Sequence, residues 1–310
     1  MAAPRIDRPR DAGRRGGALN GTPSVRGAIE SSGLVQVDAR VLLQHVLGCD
    51  RAWLAAHAGD ELAREHADAF FALAKRRREG EPVAYLVGHR EFWGLDLAVT
   101  PAVLIPRPET ETLVEAALAR LPSDRPTRVL DLGTGSGAIA LAIARERPRA
   151  EVTATDVSPD ALEIARGNAA RLGLRNVAFL RSDWYASLPA PAEAFDAIVS
   201  NPPYIAPDDP HLTEGDLRFE PRAALTPGST GLSALAAIVA GAPGRLAPGG
   251  LLAVEHGYDQ SEAVRGLFAS AGLRSVEALR DLAGVWRVVL GREPAETGAS
   301  RPTRKPSGLL

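Results

Sequence analysis

Hydrophobic and polar positions repeat with two different periods along this chain, and the period changes once. Between residues 25 and 90 the spacing is helical. Val37, Val41, Leu42 and Val46 fall near one face of a helix that Gly48 ends, and Leu62, Ala69, Phe70 and Leu73 mark the apolar side of a second over residues 61–78. No strand pattern interrupts them, which predicts a small helical bundle. Residues 91–105 alternate around Gly94 and Pro101, as a β-hairpin would. Beyond residue 106, apolar runs at 128–132, 152–156, 177–181, 195–200, 251–255, 275–279 and 285–290 predict strands, with helices starting near Glu109, Gly137, Pro159, Gly231 and Asp259. That alternation predicts an α/β domain with a doubly wound, mostly parallel sheet. Only residues 280–284 separate the last two strands, too few for a crossover, so that pair should be antiparallel.

The expected organisation is therefore a helical domain over 25–90, a hairpin linker over 91–105 and an α/β domain over 106–291. Residues 1–24 and 292–310 are rich in Gly, Pro, Arg and Ser without periodicity, and disorder is expected there. A hydrophobic fraction of 45% with 24% charged residues excludes disorder of the whole chain. The longest apolar run, residues 232–242, is well short of the roughly 18 residues a membrane span needs. The Arg-rich N-terminal segment has no apolar stretch behind it, so neither a secretory signal nor a membrane partner is expected, and a cytoplasmic location is. One cysteine, Cys49, excludes an intramolecular disulfide framework, and no metal site is expected from the spacing of the His and Cys residues.

The net charge of −2 conceals an asymmetry: residues 1–26 carry +4, residues 291–310 carry +2, and the body between them carries −8. Nucleic-acid affinity rests mostly on Lys and Arg contacts to phosphate, so no specific nucleic-acid partner is expected for such a body.

The candidate chemistry sits where predicted strands end. The first strand runs into Gly133-Thr134-Gly135-Ser136-Gly137 and an apolar helix. Alternate glycines let a backbone turn tightly and approach a ligand, with a helix N-terminus beyond. Taken alone the loop also satisfies the dinucleotide fingerprint of a hydride-transfer enzyme, or a purely structural turn. The second strand ends at Asp156, whose carboxylate can accept from both hydroxyls of a ribose; it can also serve as a helix N-cap beside Ser158. The third ends at Asp183-Trp184, a carboxylate and an aromatic face suited to an adenine, or simply to capping and packing. The fourth ends at Asn201-Pro202-Pro203-Tyr204, the most specific feature of the chain. Two successive prolines contribute no N–H and hold φ near −65°, so the turn is stiff and offers only carbonyl acceptors. A substrate NH2 would find acceptors in the Asn201 side chain and the Pro202 carbonyl, with Tyr204 supplying a π face.

Together these four segments resemble class I S-adenosyl-L-methionine-dependent methyltransferases acting on amino groups, a set that includes DNA adenine and glutamine methyltransferases. Further segments narrow the likeness: Pro82-Val83-Ala84-Tyr85, Glu91-Phe92-Trp93-Gly94, Ile105-Pro106-Arg107-Pro108-Glu109-Thr110-Glu111, Asp209-Pro210-His211, Arg218-Phe219-Glu220-Pro221 and Glu255-His256-Gly257. In order and spacing over roughly residues 25–291 the chain resembles the PrmC/HemK family, the peptide chain release factor N5-glutamine methyltransferases. The resemblance implies a class I, Rossmann-like domain with a seven-stranded sheet, joined by the hairpin to a helical substrate-binding domain. It implies methylation of the glutamine side-chain nitrogen in the Gly-Gly-Gln motif of class-1 release factors, in support of translation termination; separately from the resemblance, a monomer is expected. It assigns S-adenosyl-L-methionine to Gly133, Thr134, Gly135, Ser136, Gly137, Asp156, Asp183, Trp184 and Asn201. The glutamine is assigned to Asn201, Pro202, Pro203 and Tyr204, with Asn201, Pro202 and Tyr204 as catalytic residues. Three readings compete with it: a nucleic-acid adenine methyltransferase, a nicotinamide dehydrogenase, and a binding module that has kept its cofactor pocket.

Overall fold

The computed structural model describes residues 21–188, 194–228 and 230–295. Residues 1–20 and 296–310, which hold most of the two basic tails, lie outside the described residues. The chain forms two compact units that divide between Glu79 and Gly80.

The first unit is helical: α1 (Val25–Ser31), α2 (Gln36–Leu47), α3 (Arg51–Ala56) and α4 (Arg64–Arg78). Ser24 caps α1 by accepting from Gly27 N at 3.1 Å, and Asp50 caps α3 by accepting from Trp53 N at 2.7 Å. Gly48 closes α2 in the left-handed conformation, φ 60°. The buried face of α2 differs from the expected one. Ala39, Leu42 and Leu43 are buried, whereas Val37 and Val41 are 66% and 36% exposed. In α4, Ala67, Phe70 and Ala74 point inward while Ala69 is exposed. Both helices turn small alanines to the core, where close packing favours them, and an apolar count weighted toward valine misses that phase.

The second unit opens with α5 (Val83–Val87) and an antiparallel pair, β1 (His89–Phe92) and β2 (Leu95–Ala98). Trp93 and Gly94 turn this hairpin with φ of 52° and 65°. A loop of prolines and apolar residues leads to a 3-10 turn, Pro108–Thr110, that feeds α6 (Glu111–Leu118). The remaining elements wind the main sheet: β3 (Thr127–Leu132), α7 (Ala138–Glu146), β4 (Ala150–Asp156), α8 (Pro159–Leu172), β5 (Val177–Arg181), β6 (Phe195–Ser200), α9 (Arg222–Leu225), α10 (Ser233–Gly241), β7 (Leu246–Glu255), α11 (Ser261–Ser270), β8 (Arg274–Arg280) and β9 (Trp286–Arg292). The seven strands order as β5-β4-β3-β6-β7-β9-β8, parallel except that β9 runs antiparallel between β7 and β8. Central strands are apolar on both sides, as a sheet covered on both faces requires. From β3 the chain winds first to one side, through β4 and β5, and then returns to the other side at β6. The strand order therefore reverses between β3 and β6, and the crevice beyond their C-terminal ends is where such sheets take ligands.

Asn168 of α8, 1% exposed, ties this crevice to the hairpin. Its amide donates to Ala98 O and Ser136 O at 3.0 Å each, and its oxygen accepts from Ala98 N at 2.8 Å. Replacing Asn168 by Ala strands three backbone groups, and we expect a loss of about 2–4 kcal/mol in stability, read as a lower urea midpoint.

Candidate active site

β3 and β6 are registered with Leu132 opposite Ser200, and the Ser200 hydroxyl donates to Leu132 O at 2.6 Å. The segments that follow the two strands, the glycine loop and the Asn-Pro-Pro-Tyr turn, therefore emerge side by side. Gly133 and Gly137 have φ of 72° and 88°, and a Cβ on Gly137 would sit 3.0 Å from Leu141 Cδ1. Only glycine meets both demands at that position. The loop is pinned by Thr134 N donating to Thr155 O at 2.8 Å and by Gly135 N donating to Asp156 Oδ2 at 2.9 Å. Ser158, rather than Asp156, caps α8 through Ala161 N, and Asp156 Oδ1 accepts from Ser158 N at 2.9 Å. Burial pushes the Asp156 carboxyl up, against the backbone N–H groups of Ser158, Gly135 and Val157.

A cavity of about 240 Å³ lies at this edge of the sheet. Of the glycine loop, Gly133, Thr134, Gly135 and Ser136 line it, as do Asp156, Asp183 and Trp184. Asn201 and Pro203 line it from the other strand. The structure thus brings together nine of the twelve residues singled out from the sequence, while Gly137, Pro202 and Tyr204 stand outside the lining. Gly137 opens α7, and Pro202 is buried. Tyr204 is half-buried; its ring packs against the cluster formed with Leu235 and Val254, and its hydroxyl donates to Glu255 Oε1 at 3.1 Å.

Three groups at this edge had escaped the sequence reading. Thr110, 4% exposed, also lines the cavity and accepts from Asn201 Nδ2 at 3.0 Å. It sits in a Pro-Glu-Thr-Glu stretch that reads as an ordinary helix start. Glu255, at the end of β7, is 1% exposed; burial pushes it up to about 7, opposed by the nearby Thr110 hydroxyl and by the Tyr204 hydroxyl that donates to Oε1. A carboxylate closing an otherwise apolar strand was the available signal. Asp131, fully buried beneath the glycine loop, accepts from the Thr134 hydroxyl at 2.7 Å on Oδ2, and its Oδ1 has no hydrogen-bond partner among the described residues. Glu220, 5% exposed in the Arg218-Phe219-Glu220-Pro221 segment, accepts from Ile105 N at 3.0 Å and pairs with Arg107, which lines the cavity.

Two family models match: the PrmC N-terminal domain over residues 27–88 and the methyltransferase small domain over residues 110–215. A release factor glutamine methyltransferase of Bordetella pertussis is 57% identical over 256 residues, 83% of this chain and 94% of that protein. One of Escherichia coli is 49% identical over 255 residues, 82% of this chain and 91% of that protein. The chain belongs to the release factor glutamine methyltransferase family. A methyltransferase from Pyrococcus furiosus, superposed with a TM-score of 0.50 at 21% identity over 71% of this chain and 97% of that one, shares the fold. The family's doubly wound sheet is thus the one built here, and among the described residues no helix is long and apolar enough to cross a membrane.

The Asp131 carboxyl yields a pH prediction. Burial pushes it up to about 7, with repulsion from Asp156 adding to the shift. The folded chain holds that proton more tightly than the unfolded chain, so this stability is present at low pH and is lost as pH rises from about 4 through 7. Asp131→Asn removes that loss. The urea midpoint of the variant should gain on the wild type between pH 5 and pH 8, and parallel curves would contradict it.

Proposed function

We propose that this chain methylates the side-chain nitrogen of the glutamine in the Gly-Gly-Gln motif of class-1 peptide chain release factors, acting in the cytoplasm as a monomer with S-adenosyl-L-methionine. The observation that carries this reading is the position of Asn201: it shares one cavity with the glycine loop and Asp156, and the NH2 end of its side chain is already committed to Thr110. Its carbonyl oxygen is thereby left as an acceptor for a substrate N–H.

The residues present fit an adenosyl group. A carboxylate, Asp156, stands at the second strand end with its oxygens oriented by two backbone N–H groups, ready for ribose hydroxyls. Val157, Ile139 and Trp184 give the same cavity apolar walls, and Asp183 adds an acceptor for an amino group. Gly133, Thr134, Gly135 and Ser136 would cradle the remainder, with Gly137 shaping the turn. When bound, S-adenosyl-L-methionine supplies an electrophilic methyl group.

A carboxamide nitrogen is a poor nucleophile, because its lone pair is delocalised into the carbonyl. Asn201 accepts one of its N–H bonds and the turn carbonyl at Pro202 the other, which holds the nitrogen in place and builds electron density on it. Prolines 202 and 203 make the turn stiff and free of competing N–H donors. Tyr204 braces the turn through Glu255, a task its hydroxyl performs from outside the cavity lining. Proton loss from nitrogen follows transfer, since no His or Lys belongs to the turn.

Incubation with labelled cofactor tests the reading. Label should enter an intact release factor but neither a factor whose Gly-Gly-Gln glutamine is changed to alanine nor duplex DNA; label in DNA would favour the adenine-methylating alternative. Asn201→Ala should lower turnover by about a hundredfold or more while cofactor affinity changes little. In a calorimetric titration, Asp156→Ala should weaken cofactor binding, and an unchanged dissociation constant would remove its ribose role.

A further inference from the structure

We infer that Gln260 is a positioning residue for methyl transfer: its side-chain amide ties the carbonyl of Tyr204 to the end of β7 and the entry to α10, and so fixes the far end of the Asn-Pro-Pro-Tyr turn. The inference rests on the proposed reading of that turn as the acceptor of the glutamine NH2, and adds the device that holds its acceptors still.

A turn built on two prolines cannot brace itself, because neither Pro202 nor Pro203 has an N–H to give. The acceptors it offers therefore stand where its two ends are held. The near end continues β6, whose last residue, Ser200, pairs with Leu132. The far end is Tyr204, and Gln260 meets it from 56 residues along the chain. Gln260 Nε2 donates to Tyr204 O at 3.0 Å and to Gly231 O at 3.4 Å. Gln260 Oε1 accepts from Gly257 N at 2.9 Å. The nitrogen end thus faces two backbone carbonyls and the oxygen end a backbone N–H, so the amide has one orientation. One side chain joins three segments: the substrate turn, the entry to α10 and the Glu255-His256-Gly257 exit from β7.

The surroundings of Gln260 suit this task. It stands directly before α11, its backbone N–H donating to Gly257 O at 3.0 Å and its carbonyl accepting from Val264 N at 2.9 Å. Its side chain makes no capping bond in that helix and is directed to the turn instead. The amide is therefore presented from an anchored backbone. Gly231 is buried, and a Cβ there would come within 2.6 Å of Tyr204 O and 2.8 Å of Gln260 Nε2. Its φ lies outside the left-handed region, so the close approach alone calls for glycine at this position. Tyr204 is then held at three points: its carbonyl by Gln260, its hydroxyl by Glu255 at 3.1 Å, and the following N–H, that of Ile205, by Leu225 O at 3.0 Å.

The test compares the full-length wild type with Gln260→Met, Gly231→Ala and the double variant, using labelled cofactor, an intact release factor and an assay temperature below every thermal midpoint. Methionine keeps the length of the side chain and removes both polar ends; alanine leaves Gln260 in place and crowds the carbonyl it holds. Gln260→Met should lose about tenfold or more in kcat, while KM for the factor and the cofactor dissociation constant stay within about twofold. Binding is spared because most of the surface of a protein substrate lies away from the reacting nitrogen. Gly231→Ala should lower kcat in the same way, and the double variant should fall no more than about threefold below the poorer single one, since both changes free the same carbonyl. Wild-type kcat in Gln260→Met overturns the inference. So do single losses that multiply in the double variant, or a loss carried by KM and cofactor binding with kcat unchanged, because those mark a merely structural contact. A wild-type chain that labels no factor defeats the proposed function instead, and that outcome is visible before any variant is compared.

Discussion

The site depends on one register. β3 and β6 pair in parallel with Leu132 against Ser200, and this single alignment decides that the glycine loop and the Asn-Pro-Pro-Tyr turn leave the sheet abreast. A slip of one residue would invert every side chain of β6 and bury Asn201 in place of Ser200. The register is held by buried apolar residues on both faces of the two strands, Val129, Leu130 and Leu132 in β3 and Ala197, Ile198 and Val199 in β6. It is held again at its last step by the Ser200 hydroxyl on Leu132 O. The crossover order supplies the rest, because the chain winds away from β3 in one direction and returns to its other side, leaving a crevice that neither neighbouring helix fills.

Around that crevice the protein buries polar groups at some cost. Asp131 and Glu255 each lie under one half of the site, and among the described residues each has one oxygen without a hydrogen-bond partner. A hydrophobic pair at these positions would not carry the desolvation penalty that raises both carboxyls toward neutrality. What the two carboxylates do provide is direction. Asp131 accepts from the Thr134 hydroxyl beneath the glycine loop, and Glu255 accepts from the Tyr204 hydroxyl at the end of the Asn-Pro-Pro-Tyr turn. Rigid orientation obtained at the expense of stability is a frequent property of sites that must hold a weak nucleophile in line.

Much of this was legible in the sequence, and the parts that were not share a physical reason. The strands, their order of appearance, the glycine loop and the proline turn are local signals: a period of two, alternate glycines, a residue pair without N–H groups. The buried face of α2 was not legible, because Ala39 carries little hydrophobic weight yet packs where Val37 and Val41 do not. Thr110 and Glu255 are 145 residues apart and acquire meaning only when the fold brings β7 beside β6 and Thr110 against Asn201. The Arg107 and Glu220 pair has the same character. Each of these residues looks ordinary in its own segment, a helix start, a strand end or a loop charge, and only tertiary contact shows what it holds.

The same distinction bears on the substrate. A turn that offers acceptors to an NH2 group and withholds donors serves an adenine as well as a glutamine, since both present two hydrogens on a planar nitrogen. The turn therefore sets the reaction and leaves the substrate class to the rest of the surface. A body carrying −8 between its two basic ends repels a phosphate backbone at every step of approach, whereas a protein loop ending in glycines and a glutamine brings no such charge. On the proposed reading of Asn201, selection between the two is exercised before the reacting nitrogen arrives, and the crevice itself need only be deep enough for one amide and closed enough to keep water from competing for its acceptors.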